Sequence, residues 1–184
     1  MDIKNQSVAK MIGWTEIALF DKNGKAKKLF HVNKVWAFFK KKLNVDLKIP
    51  FLFGNWSTRA LKFNTITSVG KQIAAQQTGG TTTAPVTAIA IGIGTPSATA
   101  LGSEIVSGGG SRGAATVSNQ TTTTTGDTER WIKTFTFTTG FAITEEGLFD
   151  NNTSGGNMLA SQSFSAVNVV NTDTLQITHN VKFA

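Results

Sequence analysis

The side chains able to do chemistry are few. His31 and His179 are the only imidazoles among 184 residues, and there is no cysteine. A zinc site gathers Cys, His or carboxylate ligands, commonly at short spacing, and neither histidine has such neighbours. His179 falls at an inward-looking position of an alternating C-terminal stretch, so it reads as a strand residue rather than a catalytic base. Glu145 and Glu146 form the only adjacent carboxylate pair. Neighbouring side chains on a strand point to opposite faces, so these two cannot act together as acid and base. One of them is expected to face inward and to need a partner: a backbone amide, Arg112 or Arg130. Asp150 is expected to close its turn through its own backbone. No catalytic, cofactor or metal residue is assigned.

Glycine-rich loops can cradle phosphate, but Gly108-Gly109-Gly110-Ser111-Arg112-Gly113 lacks the Lys and the following helix of a phosphate loop. Ile91-Gly92-Ile93-Gly94 lacks the third glycine of a dinucleotide fingerprint. The remaining candidate is a surface. Lysines interleave with aromatic residues before residue 57, and Lys34, Trp36, Phe39, Lys40, Lys41, Lys42, Phe51, Phe53 and Trp56 form the candidate docking set. Such a region can bind nucleic acid by phosphate neutralisation and stacking. It can equally be a solvated basic face over a small apolar core, or an arm whose aromatics anchor it on an acidic protein surface.

Composition divides the chain that must position these residues. Residues 1–75 carry 14 Lys or Arg against 4 Asp or Glu, whereas residues 76–184 carry 4 against 7. Two parts are expected: a basic, aromatic-rich arm or small β subdomain over 1–63, and a β-rich domain over 64–184. In the first, Ile17–Phe20 reads as a strand, Asp21-Lys22-Asn23-Gly24 as a tight turn, and Lys28–Val32 as the return strand. Val35–Leu43 has helical spacing, Val45–Ile49 alternates, and Phe51–Trp56 is an apolar patch in a loop. In the second, Thr67 is a plausible cap for a short helix to Gln76. Val86–Ile93 reads as a buried strand whose small residues, Ala90, Gly92 and Gly94, let something pack close. Ala114–Val117, Trp131–Thr138, Ala142–Phe149, Met158–Phe164 and the run from Leu175 to Phe183 complete the strands. The predicted fold class is mainly β: an antiparallel β-sandwich or barrel-like domain with one or two short helices and an N-terminal extended arm or subdomain. Thr15–Asn23 echoes Thr144–Asn152, and two similar hairpins of independent origin are the simpler reading than a repeat.

The ordered series Asn64–Ala74, Ile89–Thr95, Thr99–Ile105, Ile143–Asp150, Gly155–Ala160 and Asp173–Thr178 resembles a module of tailed-bacteriophage structural proteins, of the minor structural or tail-fibre-attachment kind. The likeness spans about residues 64–184. It implies that Thr144, Glu145, Gly147, Leu148, Phe149 and Asp150 define a hairpin of the fold. It also implies a non-enzymatic virion subunit, a capsid decoration or tail or neck adaptor. The lysine-rich residues 1–63 lie outside the likeness, and no shaft or receptor-binding tip follows the final strand, so a full-length fibre is not expected.

The expected function is therefore structural, with docking through the basic N-terminal region onto capsid, neck or tail subunits and with symmetric self-assembly. A nucleic-acid-binding module and a host-surface carbohydrate-binding adhesin using Trp14, Trp56 or Trp131 are the alternatives. No cofactor is expected. No apolar run approaches the roughly 20 residues of a membrane helix, and no signal-peptide layout opens the chain. Synthesis in a host cytoplasm and residence in the virion are the expectations.

Overall fold

The computed structural model describes residues 10–32, 49–52, 54–81 and 84–184. Among the described residues the fold is mainly β, with two antiparallel sheets packed against each other and one short helix; the sheets do not close into a barrel. The first sheet holds β1 (Met11–Phe20), β4 (Arg59–Phe63), β8 (Thr116–Gln120), β9 (Thr128–Thr136) and β12 (Thr174–Phe183), in the order β4-β1-β12-β9-β8. The second holds β5 (Thr65–Ile66), β6 (Ala88–Gly92), β7 (Gly113–Ala114), β10 (Phe141–Phe149) and β11 (Met158–Val169), in the order β5-β11-β10-β6-β7. A separate ribbon pairs β2 (Leu29–Val32) with β3 (Gly54–Ser57).

Period-two alternation builds the interior. Ile17 and Leu19 of β1 pair across from Ile177 and Leu175 of β12, and Leu175 pairs in turn with Phe135 of β9. All five point inward and are at most 3% exposed. Ile89, Ile91, Ile143, Leu148 and Val167 meet them from the second sheet. Each such side chain, fully buried, contributes roughly 1.5–3 kcal/mol. β1 therefore lies inside the sandwich, between β4 and β12, although its residues belong to the basic part of the sequence.

Helix α1 (Ser68–Thr78) starts where Thr67 caps it, the hydroxyl accepting from the Gly70 N–H at 2.7 Å. The same hydroxyl donates to the Met158 carbonyl, so the cap also fastens the helix to β11. Gly70 is required there, because a Cβ would lie 2.0 Å from the Leu159 carbonyl oxygen.

The small face of β6 does let a segment pack close. The connection from Ile93 to Arg112 folds back over the outer face of the second sheet, where Leu101 covers Ala88, Ala90, Phe149 and Met158. The low-complexity run Thr121–Thr125 is also ordered by a partner. Asp127 accepts from the N–H groups of Thr122, Thr123 and Thr124 at 2.9–3.0 Å. Burial pushes the Asp127 pKa up, but the Thr124 and Thr122 amides, the Thr122 hydroxyl and the Thr123 amide together hold it far below the usual carboxylate range.

Several expectations need correction. The Asp21–Gly24 turn forms, with the Gly24 N–H donating to the Asp21 carbonyl at 2.9 Å, but the return strand leaves β1 after one bridge at Ala26 and pairs with β3. Trp56 belongs to β3, not to a loop, because its neighbours complete the ribbon. Ile93 is half exposed rather than buried, since β6 ends at Gly92. β11 runs on to Val169, past the expected end at Phe164, through an irregularity that places Phe164, Ser165 and Ala166 between the Ile143–Val167 and Glu145–Ser163 pairs. The expected helix Val35–Leu43 and most of the expected strand Val45–Ile49 lie outside the described residues.

Candidate functional site

A groove of about 490 Å³ runs between the β2–β3 ribbon and the irregular part of β11. Leu19 and Leu29 form its floor, Phe30 and Trp56 one wall, and Phe164 to Asn168 the other. The ribbon supplies the aromatic wall because Phe30 and Trp56 are directly opposed across it, with ring centroids 5.1 Å apart in an edge-to-face arrangement. Gly54 allows the two ribbon strands to approach, since a Cβ there would lie 1.9 Å from the His31 carbonyl oxygen. The bulged stretch of β11 supplies the opposing wall, as bulges commonly do beside binding sites.

The groove is basic at one end. Lys28 is exposed, whereas Lys27 reaches Asp173 with both carboxylate oxygens within 2.7 Å. That ion pair ties the chain entering the ribbon to the turn between β11 and β12. A smaller pocket continues past His31, Ala60 and Lys62. Burial, together with the nearby Lys62 charge, lowers the His31 pKa, against the opposing pull of a hydrogen bond with the Arg59 backbone. His31 is thus neutral at neutral pH and adds no charge to the groove.

Of the expected docking residues, Phe51 and Trp56 can be placed. Phe51 is 94% exposed and has φ +66°, a left-handed backbone that non-glycine residues seldom adopt. Trp56 is 48% exposed at the groove mouth. Lys34, Trp36, Phe39, Lys40, Lys41, Lys42 and Phe53 lie outside the described residues.

The expected hairpin residues come together, and their roles are specific. Glu145 and Glu146 do point to opposite faces, and both are fully buried. Glu145 accepts from three backbone amides of the β6–β7 connection: Gly94 at 3.0 Å, Ser103 at 2.8 Å and Gly102 at 2.9 Å. Thr144 donates to the Gly94 carbonyl at 2.7 Å, so the same connection is held twice. Gly147 leaves room for Met158 and Leu101, while Leu148 fills the core. Arg112 does not pair with either of these glutamates. It grips Glu104 with two nitrogens, lies 3.6 Å over the Phe149 ring, and donates to the Gly155 carbonyl at 2.6 Å. Arg130 instead donates to Asn180. Asp150 closes its turn across the hairpin, accepting from the backbone and side chain of Asn157 at 2.7 and 2.8 Å, rather than through the residues next to it.

Sequence reasoning missed a cluster between the sheets. Glu146 accepts from the Thr15 hydroxyl at 2.8 Å and lies 3.0 Å from the His179 Nδ1. Asn64 bonds the other ring nitrogen of His179. A hydroxyl, an imidazole and a carboxylate resemble a hydrolytic triad in composition only. Thr15 and Glu146 both meet Nδ1, so no proton can pass from hydroxyl to carboxylate across the ring. Thr15, Glu146 and His179 are also fully buried. The cluster is a tie between β1, β10 and β12. The inward position of His179 was visible as alternation, but Thr15, ahead of the expected strand Ile17–Phe20, and its pairing with His179 were not.

No family model, curated protein or solved structure matches the chain.

Proposed function

We propose that this protein is a non-enzymatic structural subunit of a tailed-bacteriophage virion, a capsid decoration or a tail or neck adaptor, that docks on neighbouring virion proteins through the ribbon side of its sandwich. One observation carries the docking side of this reading: large apolar side chains stand in the water on and next to β3. Phe51 and Trp56 are 94% and 48% exposed. Apolar patches of this kind are commonly covered by a partner. Phe51 also holds an uncommon backbone conformation to present its ring, and such conformations gather at functional positions.

The virion assignment itself rests on the likeness of the Thr144–Asp150 hairpin and its flanking segments to the phage module. The geometry supports a structural role for these residues, since Glu145, Leu148, Phe149 and Asp150 all serve to hold the fold. The basic end of the groove favours an acidic partner surface, with Lys28 at its rim.

Purified particles test the proposal by quantitative gel or mass spectrometry. Copy numbers in the hundreds are expected of a decoration protein and a few to a few tens of an adaptor. A Phe51→Ser, Trp56→Ser chain should fold yet be depleted from particles at least several-fold. Absence of the unaltered protein from infectious particles would overturn the reading.

A further inference from the structure

The edge of the first sheet is matched to itself. Asn64 donates its N–H to the Gly13 carbonyl at 3.0 Å, so residues 64, 62 and 60 turn their backbone groups toward β1. By the two-residue period, the N–H and C=O groups of Arg59, Leu61 and Phe63 point away from β1, along the outer edge. Among the described residues no strand pairs with that edge. The side chains of the same three residues stand on the outer, solvent-facing side of the sheet, and all three are exposed.

We propose that two copies of this chain join β4 to β4 antiparallel about a two-fold axis through Leu61, making one continuous sheet from two. In this register Leu61 meets Leu61 of the second copy and exchanges two backbone hydrogen bonds with it. Arg59 faces Phe63 of the second copy, a guanidinium beside an aromatic ring, and Ala60 faces Lys62. No like charges are opposed. A slip to an axis at Lys62 sets two ammonium groups against each other, which disfavours it. A slip to an axis at Phe63 needs Thr65, which is already paired with β11. Register is thereby chosen by charge on one side and by occupancy on the other. Trp14 lies beside Phe63 on β1 and extends the apolar strip on the same face.

The His31 ring rests against the Arg59 backbone, so the ribbon shields that end of the edge. The contact is therefore carried by the reciprocal Leu61 bonds and by Phe63 packed on the aliphatic stem of Arg59. Five residues bury much less than the roughly 1,600 Å² of a standard interface. The dimer is accordingly weak and concentration-dependent, as suits a unit held at high local density. It does not depend on the virion reading and survives if the protein is absent from particles.

Because the chain lacks cysteine, single replacements report the register. Hydrogen-bonded antiparallel partners have Cα atoms about 5.5 Å apart, inside the span that a disulfide bridges. Leu61→Cys should cross-link to itself under mild oxidation. Phe63→Cys should not, since its counterpart lies about 14 Å away along the strands, but it should cross-link in a mixture with Arg59→Cys. All three positions are exposed, and circular dichroism checks that each variant folds. In sedimentation equilibrium the unsubstituted chain should show a dimer, and Leu61→Lys should weaken it at least about tenfold. Equal cross-linking of Leu61→Cys and Phe63→Cys, or none by either, would overturn the proposal. So would a monomer at every concentration.

Discussion

β1 and β10 carry nearly the same message, Thr-Glu-x-x-Leu-Phe-Asp, and each lies inside a different sheet. Their side chains alternate in step: Leu19 and Leu148 face the core, Glu16 and Glu145 face outward, and Asp21 and Asp150 each begin a turn. The environments then diverge. Glu16 stands on a solvated surface with Arg59 at 3.6 Å, whose side chain is 75% exposed. Glu145 is sealed under the β6–β7 connection with three amides. The strand decides which way a glutamate points. What covers that face decides whether it is decoration or scaffold.

The largest expected effect tests that contrast directly. Glu145→Ala strands three amide donors and should cost roughly 3–5 kcal/mol, whereas Glu16→Ala should stay within about 0.5 kcal/mol. Urea denaturation reads both, and equal costs would break the comparison. Next comes the inner cluster. Glu146→Gln keeps the volume of the side chain but removes the carboxylate shared by Thr15 and His179. A loss of about 1–3 kcal/mol is expected, and a cycle with Thr15→Val should show coupling of at least about 0.5 kcal/mol. Additive losses would mean that the Thr15 contact is incidental.

The smallest effect sharpens the comparison at the turns. The Lys25 and Asn23 amides hold the Asp21 carboxyl below its ordinary pKa. A carboxylate depressed in the folded state stabilises it above the ordinary value, and that contribution is lost as pH falls through the folded value. Asp21→Asn should therefore be slightly less stable than the parent at neutral pH, and the gap should close on acidification. A gap that widened in acid would refute the role of those amides.

Much of this was legible locally. The Thr67 cap, the buried β6, and the alternation of β9, β10 and β12 follow from residues within one element. The ban on pairing Glu145 with Glu146 followed from strand geometry alone. What could not be read were partners far apart in sequence. Nothing near Lys28–Val32 says that it pairs with Gly54–Ser57 instead of β1. Nothing near Glu145 names Gly94, Gly102 and Ser103, because backbone amides carry no side-chain signature. Asn64 entered only as the first residue of the phage-like series, yet it bonds His179. The charge break near residue 75 marks a change of surface, while β1 contributes Ile17 and Leu19 to the common core. All four candidate docking lysines lie outside the described residues, so Phe51 and Trp56 carry that part of the site.

The pairing of β1 with β12 also sets a schedule for biogenesis. Phe20 must find Thr174, and Met11 must find Phe183. At translation speeds of roughly 5–20 residues per second, β1 emerges from the ribosome many seconds before its central partner exists. During that interval its apolar face stays open to chaperones and to strands of other nascent chains. Closure of the sandwich thus waits for β12 and carries a high loop-closure cost, and slow, aggregation-sensitive refolding from denaturant follows from where one strand sits.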